Sequence, residues 1–296
     1  MIDINYELYK VFYHVASTLN FSEASKQLFI SQSAVSQSIK TLERKLDQTL
    51  FIRSTKKVQL TPEGEILMRH IEPAMNLIQK GEAQLLEAAS TGGQIRIGAS
   101  DTICRYFLIP YLERFHKAFP SAHIKVINQT SVKCTKLLKN GLVDLIVVNY
   151  PNNYLGNVSS IIHIKKFRDV FIAGDTYPEL KGEQLSFRQI IKYPILMLDK
   201  NSTTNEFLHR LFQQHQLDLV PEIELTSNDL LIDLARIGLG IAFIPDYCIS
   251  GKTEGIHVLE TQEELPEREL VIAYNEHLPL SRAATEFLSY FKEQDD

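Results

Sequence analysis

Apolar residues in the first part of the chain recur at helical spacing. Over residues 5–19 they lie three or four positions apart, which predicts a helix. Ser22 is a candidate cap for a second helix that ends at Leu28, and Ser31 is a candidate cap for a third helix over Gln32–Leu46. The apolar stripe of the third helix consists of Val35, Ile39, Leu42 and Leu46. One face of this helix is therefore expected to pack, while its other faces are polar.

A basic stretch separates two short apolar segments after this helix. Residues 50–52 precede the stretch and residues 58–60 follow it with strand-like alternation, which predicts a two-stranded wing. Thr61 and Pro62 then favour the start of a long helix, because a hydroxyl can cap and proline suits the first helical position. The near-heptad stripe of this helix is formed by Leu67, Ile71, Met75, Ile78 and Leu85. It predicts a pairing helix that runs into a flexible hinge over residues 90–93.

Strands and helices alternate beyond the hinge. Strands are predicted over 95–99, 123–129, 143–148, 170–173, 195–198, 223–225, 241–244 and 270–274. Helices are predicted around 107–115, 131–140, 204–215, 228–237 and 282–291. This rhythm predicts an α/β domain with parallel sheets.

The composition is that of a folded protein without a membrane or export segment. The chain has 296 residues, of which 44% are hydrophobic and 23% charged. It contains no apolar run of the roughly 18 to 20 residues that cross a bilayer, and its first residues lack the pattern of a signal peptide. We therefore expect a cytoplasmic protein with no membrane partner. Its three cysteines have no paired spacing, so neither a disulfide framework nor a metal site is indicated.

The net charge of −5 conceals a basic segment. Between residues 21 and 60, the lysines and arginines outnumber the acidic residues by about four. A basic patch of this size is more often a solvated surface, so charge alone does not establish nucleic-acid binding.

A longer pattern in the same segment is more specific. It consists of FSEASKQL at 21–28, SQSAVSQSI at 31–39, LE at 42–43, LFIR at 50–53 and LTPEG at 60–64. This pattern resembles the signature of the LysR-type transcriptional regulators. Two positions depart from it: Ser25 stands where a second alanine is common, and Asp47 where glycine usually ends the recognition helix. Ser25 is small enough to pack, whereas Asp47 must adopt a geometry that glycine adopts more easily.

The resemblance implies roles for individual side chains of the helix and the wing. The residues expected to face DNA bases are Gln32, Ser33, Ser36 and Gln37. The residues expected to bind backbone phosphates are Lys40, Arg53, Lys56 and Lys57. Amides and hydroxyls can bond to base edges in the major groove, and cations can hold phosphates, so the residue types suit double-stranded DNA as partner.

The resemblance extends over the whole chain and implies an α/β multidomain protein. Its expected parts are an N-terminal winged helix-turn-helix over 1–61, a long linker helix over 62–91, and a C-terminal effector domain over 92–296. The effector domain is expected to have two lobes, like the periplasmic solute-binding proteins. Lobe 1 would comprise about 92–163 and 269–296, and lobe 2 about 164–268.

Polar residues follow several of the predicted strands, where ligands of open α/β sheets lie. The residues that match the pocket-lining positions of the family are Ser100, Thr102, Thr130, Ser131, Ser202, Thr203 and Thr226. Each of them, taken alone, is more often a helix cap than a ligand contact. Helix starts rich in N–H groups would suit a small anion, with Arg105 or Lys133 assisting, although each cation, taken alone, is more often solvated on its helix.

The resemblance further implies homodimers through the linker helix, homotetramers through the effector domains, and contact with RNA polymerase. The small-molecule effector is the one expected ligand, and we expect no catalytic residue and no cofactor. An enzyme, an exported solute-binding module and an architectural DNA coat are the competing classes. The chain lacks a nucleophile motif, a P-loop and metal-ligand spacing, which disfavours an enzyme.

Two cysteines stand near predicted helix starts. There, the helix dipole could lower the pKa of the Cys104 and Cys134 thiols and make them redox sensors. The alternative is that both are small buried hydrophobic residues, and this interpretation is favoured.

Overall fold

A computed structural model describes residues 3–53, 57–87, 93–156, 160–251 and 253–292, with residues 53, 84, 86 and 87 described by their backbone alone. Lys56 and most of the expected hinge over residues 90–93 lie outside the described residues. The chain divides into two compact units, residues 1–86 and residues 87–296. Within the described ranges, no helix combines the length and the hydropathy of a membrane-spanning segment.

The first unit contains three short helices, a wing and a long helix. Its elements are α1 Tyr6–Thr18, α2 Phe21–Leu28, α3 Gln32–Leu46, β1 Phe51–Arg53, β2 Val58–Leu60 and α4 Pro62–Glu87. Val35, Ile39 and Leu42 of α3 are fully buried in one core with residues of α1 and α2. β1 and β2 pair antiparallel, with Phe51 opposite Leu60, which confirms the predicted wing.

Polar side chains fix the helix starts of this unit. The expectation that Ser22 caps α2 is wrong, because Oδ1 of Asn20 accepts from the backbone N–H groups of Ser22 and Glu23 at 2.9 and 3.1 Å. Ser31 is confirmed as the cap of α3, since its hydroxyl accepts from the N–H of Ala34 at 3.2 Å. The helix start that Thr61 and Pro62 predict is also confirmed.

The three short helices all end on a residue with left-handed backbone geometry. These residues are Leu19, Phe29 and Asp47, with φ of 48°, 54° and 52°. The expectation that Asp47 tolerates the geometry usually supplied by glycine is therefore confirmed. Its backbone N–H donates to the carbonyls of Arg44 and Glu43, which satisfies part of the helix end.

The second unit alternates strands and helices. Its strands are β3 Gln94–Ala99, β4 His123–Asn128, β5 Leu145–Tyr150, β6 Ser160–Phe167, β7 Asp169–Gly174, β8 Gln184–Leu185, β9 Ile195–Leu198, β10 Ile223–Leu225, β11 Ile241–Pro245, β12 Ile256–Val258, β13 Glu260–Thr261 and β14 Arg268–Tyr274. Its helices are α5 Asp101–Ile103, α6 Ile109–Ala118, α7 Ser131–Lys139, α8 Phe187–Ile190, α9 Thr203–Gln214, α10 Asn228–Arg236 and α11 Arg282–Lys292. A π-helical turn at Cys104–Leu108 joins α5 to α6.

Two five-stranded sheets divide this unit into two lobes. The strand order is β4-β3-β5-β14-β6 in lobe 1 and β10-β9-β11-β7-β12 in lobe 2. The parallel pairing expected is present between β3, β4 and β5 and between β9, β10 and β11. Both sheets are mixed, however, because β14 runs antiparallel to β5 and β6, and β7 runs antiparallel to β11 and β12. The reason is that β14 and β7 each begin where the chain crosses from one lobe to the other, a region called the lobe hinge and distinct from the hinge expected over residues 90–93. Strands β5, β6 and β11 run towards this crossing.

The strand β6 extends lobe 1 beyond the expected boundary near residue 163. It pairs with β14 from Ser160 to Phe167, and β7 of lobe 2 begins at Asp169. Because β14 begins at Arg268, the chain crosses between the lobes at residue 168 and again just before residue 268.

A buried ion pair joins these two crossings. The side chains of Arg268 and Asp169 are 1% and 0% exposed, and Nη1 of Arg268 donates to Oδ2 of Asp169 at 2.5 Å. The rings of Phe167 and Phe207 lie over the guanidinium, with centroids 5.4 and 4.8 Å from its carbon. Burial raises the pKa of the Asp169 carboxyl, and the adjacent guanidinium opposes that rise. Water has little access to this hinge contact.

We expect Arg268→Met to destabilise the second unit by about 3–5 kcal/mol, because it leaves the Asp169 carboxylate desolvated and without its partner. Chemical denaturation of the full-length protein measures this loss. The double variant Arg268→Met/Asp169→Leu is the control and should recover most of the stability, since it removes both charges. An Arg268→Met protein as stable as the unchanged one would contradict the expectation.

Candidate functional site

The exposed face of α3 is rich in amides and hydroxyls. Gln32, Ser33, Gln37 and Lys40 are exposed there, and Ser36 is half-buried. The Oγ atoms of Ser33 and the cap residue Ser31 lie 2.9 Å apart, within hydrogen-bond distance. The opposite face is fixed in the core, so this polar face has a defined orientation within the first unit.

The remaining residues predicted to bind DNA belong to the wing. Lys57 is exposed just before β2. The backbone of Arg53 ends β1, but its side chain is not among those described, and Lys56 lies outside the described residues. The structure therefore places five of the predicted side chains on α3 and one beside the wing.

A cavity of about 420 Å³ lies between the two lobes of the second unit, at the carboxyl ends of their strands. Strands β3, β4 and β5 lead to it from lobe 1, and β9, β10 and β11 lead to it from lobe 2. All seven residues predicted to bind an effector line this cavity: Ser100, Thr102, Thr130, Ser131, Ser202, Thr203 and Thr226. Its volume is in the range of small-molecule sites.

Among the helices that begin at the cavity wall are α7, α9 and α10. Their N-cap residues Thr130, Ser202 and Ser227 accept from backbone N–H groups of α7, α9 and α10 at 3.4, 3.0 and 3.4 Å. The helix-cap role and the pocket-lining role considered from the sequence are therefore compatible, since Thr130 and Ser202 cap helices and also line the cavity. The first-turn N–H groups of a helix have no partner within it and carry a positive partial charge. This wall is suited to a group that accepts hydrogen bonds.

The charged residues at the cavity are few. Lys133 lines it, whereas Arg105 does not and instead lies 3.7 Å from the carboxylate of Asp229. Two acidic residues also line the cavity: Oδ1 of Asp101 accepts from the Asn128 amide, and Oδ1 of Asp199 accepts from the N–H of Asn201. The donors of the cavity are thus mainly hydroxyls and backbone N–H groups.

Two asparagines of the wall were not among the residues predicted to bind an effector. Asn149 near the end of β5 and Asn228 at the start of α10 are 9% and 4% exposed, and Oδ1 of each has no hydrogen-bond partner among the described residues. A buried amide oxygen without a partner is unfavourable unless a ligand or water supplies one. The sequence signal that could have indicated them is their position, since Asn149 lies near the carboxyl end of β5 and Asn228 follows β10.

Further hydrogen bonds between described residues join the lobes around the cavity. Nδ2 of Asn228 donates to Oγ1 of Thr102 at 2.9 Å, and the Tyr106 hydroxyl donates to the Asp229 carboxylate at 2.5 Å. The Tyr154 hydroxyl donates to the Glu206 carboxylate, also at 2.5 Å. Burial, followed by the Asp229 contact, raises the pKa of the Tyr106 hydroxyl, so this donor keeps its proton at neutral pH.

Burial raises the pKa of two cysteine thiols above the ordinary value. It raises the pKa of the Cys104 thiol to about 11, with the Asp101 carboxylate adding to the rise, and it raises that of Cys134 to about 12. The dipole effect considered from the sequence is therefore outweighed by desolvation, which disfavours a thiolate at either position. Among the described residues, no cluster of three or more metal-ligating side chains was found.

Family models match both units. Residues 6–65 match the model described as "Bacterial regulatory helix-turn-helix protein, lysR family", and residues 88–296 match the model described as "LysR substrate binding domain". The chain is also similar to the HTH-type transcriptional activator CmpR of Synechocystis sp. It is 26% identical to CmpR over 97% of this chain and 95% of that protein.

Solved structures share the fold. Full-length CbnR in complex with its target DNA superposes with a TM-score of 0.67 at 15% identity, covering 98% of this chain and 99% of that one. The regulatory domain of CcmR from Synechocystis PCC6803, solved in complex with 2-PG, superposes with a TM-score of 0.62 at 20% identity. It covers 68% of this chain and 97% of that domain.

We expect the cysteines to be poor nucleophiles. Because the raised pKa values keep the Cys104 and Cys134 thiols protonated, iodoacetamide should label the folded protein at pH 8 much more slowly than the urea-unfolded protein. Mild peroxide should leave DNA binding unchanged. Rapid labelling of either cysteine, together with a loss of DNA binding after peroxide, would contradict this expectation.

Proposed function

The chain belongs to the LysR family of transcriptional regulators, and we propose how its two units divide the work of such a regulator. It is a DNA-binding transcription regulator that responds to a small-molecule effector. We assign base reading to the exposed face of α3 and effector binding to the cavity between the lobes. The observation that carries the second assignment is the convergence of all seven predicted hydroxyl residues on that one cavity.

The chemistry of α3 supports its assignment as the recognition helix. Gln32 and Gln37 each offer a donor and an acceptor in fixed relation, which suits the paired groups of an adenine edge. Ser33 and Ser36 can bond to either kind of base group. Phosphate binding is assigned to Lys40 on the same helix and to Arg53, Lys56 and Lys57 of the wing.

The first turns of α7, α9 and α10 support a small anionic effector. Their N–H groups meet at the cavity from both lobes, and Lys133 adds a cation. Most side chains of the wall carry a hydroxyl, amide or charged group, so a hydrophilic acid fits better than an aromatic one. The complex of the CcmR domain with 2-PG supports a small polar ligand as the kind of molecule that such a domain accommodates.

We propose that the chain assembles into homodimers through α4. Ile66, Ile78 and Leu85 of α4 are 50%, 56% and 78% exposed, which supports dimerisation through this helix. We further propose tetramers through the effector domains, contact with RNA polymerase at the promoter, and action in the cytoplasm, where the DNA is. The proposal gives the chain no catalytic step and no cofactor beyond the effector.

We expect Gln37→Ala to reduce the preference for operator over random DNA by about 1–3 kcal/mol, because it removes a bidentate base contact. Lys40→Ala is the matched control on the same face. It should weaken binding to both DNAs about equally and lower the slope of log K against log salt by about 0.9. Titrations with fragments selected from genomic DNA, at several salt concentrations, measure both effects. Equal losses on both DNAs for Gln37→Ala would remove this residue from the base-reading set.

We expect at least one small anion to bind the full-length protein and to change its operator binding. Calorimetry against organic acids, amino acids and inorganic anions identifies the ligand. Lys133→Ala should then weaken binding about two- to fivefold, the range of an exposed ion pair, while Arg105→Ala should not, because its guanidinium contacts Asp229 instead. Binding of neutral or cationic ligands alone would refute the anionic effector.

A further inference from the structure

The buried guanidinium of the hinge also touches the wall of the cavity. Nη1 of Arg268 donates to Oγ1 of Thr204 at 3.2 Å, and Nη2 donates to Oγ1 of Thr203 at 3.4 Å. Thr203 and Thr204 are the first two residues of α9, are 6% and 3% exposed, and both line the cavity. One side chain therefore bonds to the hinge carboxylate and to two residues of the wall.

These contacts determine what the threonine hydroxyls can offer to a ligand. A guanidinium has donors and no acceptor, so both hydroxyl oxygens must accept from Arg268. Each hydroxyl hydrogen is then directed elsewhere, and within the described part of the chain neither hydroxyl makes another hydrogen bond. Thr203 and Thr204 are thus left as donors, beside the first-turn N–H groups of α9.

Other groups in the wall indicate that the cavity is built for a ligand. The amide oxygens of Asn149 and Asn228 are buried in its wall without a partner among the described residues. These oxygens accept hydrogen bonds, whereas the start of α9 donates them. The cavity is therefore polarised, and a ligand that carried both an oxyanion and a hydroxyl or ammonium group could satisfy both ends.

We propose that Arg268 is a positioning residue for the effector, because it directs the hydroxyls of Thr203 and Thr204 to donate to an oxyanionic group at the first turn of α9. This inference rests on the proposed function of the cavity. The mechanism is orientation rather than charge, since Asp169 neutralises the guanidinium at 2.5 Å. Lysine could not replace it, because an ammonium lacks the planar fork that reaches three partners.

Inorganic phosphate is the probe. In full-length protein labelled with ¹⁵N, phosphate should shift the backbone amide resonances of Thr203 and Thr204, and the guanidinium resonances of Arg268 should shift with the same midpoint. Arg268→Lys should weaken this binding about tenfold, as expected for lost bonds to a charged group. Guanidinium resonances that stay still during the titration would overturn the inference, and this measurement needs no variant to fold.

A double-mutant cycle separates positioning from a structural role. In the Thr203→Val/Thr204→Val background, Arg268→Lys should cause no further loss of phosphate affinity, because the hydroxyls through which it acts are gone. Thr226→Val is the matched control: Thr226 lines the cavity, so in that background the tenfold loss should persist. An equal loss from Arg268→Lys in both backgrounds would overturn the proposal, as that is the result of a merely structural role.

The outcomes also distinguish this inference from the function on which it rests. If phosphate binds at α9 as described while no small anion changes operator binding, the regulatory role of the cavity fails and the role of Arg268 stands. If an anion changes operator binding equally in the unchanged protein and in Arg268→Lys, the inference fails and the function stands.

Discussion

The arrangement of the effector domain depends on one buried ion pair, between Arg268 and Asp169. Two crossings of the chain join the lobes, and each leads into a strand that begins with one member of the pair. A buried pair of this kind adds little net stability, because the desolvation of both groups offsets their attraction. The pair matters because the planar guanidinium directs its hydrogen bonds to two places. It binds the Asp169 carboxylate on one side and the start of α9 on the other. The hinge and the cavity wall are therefore mechanically connected.

The charge of the chain is divided between its units in a way that suits their tasks. The basic surplus lies in the segment that contains α3 and the wing, where attraction to phosphate is useful and non-specific. In the cavity, Lys133 is accompanied by Asp101 and Asp199, so the formal charges of these three side chains sum to −1. The N–H and O–H groups of the wall have directions fixed by helices, and such groups select by geometry more than by charge alone.

Local features of the fold were predictable from the sequence, and distant pairings were not. The spacing of Val35, Ile39 and Leu42 is a property of one helix, so the buried face of α3 could be read directly. The short strands β8, β12 and β13 contain two or three residues and are defined by their partners, which no periodicity reveals. Arg268 and Asp169 lie 99 residues apart, and nothing in the local pattern around either one indicates a buried charge.

The same distinction explains one error and two open alternatives at individual sites. Ser22 has the chemistry of a cap, but Asn20 is placed by the extended backbone before α2 to accept from two N–H groups. For Arg105 and Lys133, both near helix starts, orientation around the helix axis decides which one reaches the cavity. For Cys104 and Cys134, the dipole and burial act in opposite directions on the pKa, and the degree of burial depends on tertiary packing.

The contacts that hold the lobes together are of a strength that a ligand can override or reinforce. The Tyr106–Asp229 hydrogen bond is partly buried and the Tyr154–Glu206 hydrogen bond is exposed, so water can readily replace the second. Shifting a two-state equilibrium from 1:99 to 99:1 requires a difference in binding energy of about 5.5 kcal/mol. Hydrogen bonds to a charged group contribute about 1.5–3 kcal/mol each, so two to four such bonds made in one state alone are enough. Because α7 belongs to lobe 1 while α9 and α10 belong to lobe 2, an anion that contacts all three helix starts makes its full set of bonds only when the lobes are at one particular angle.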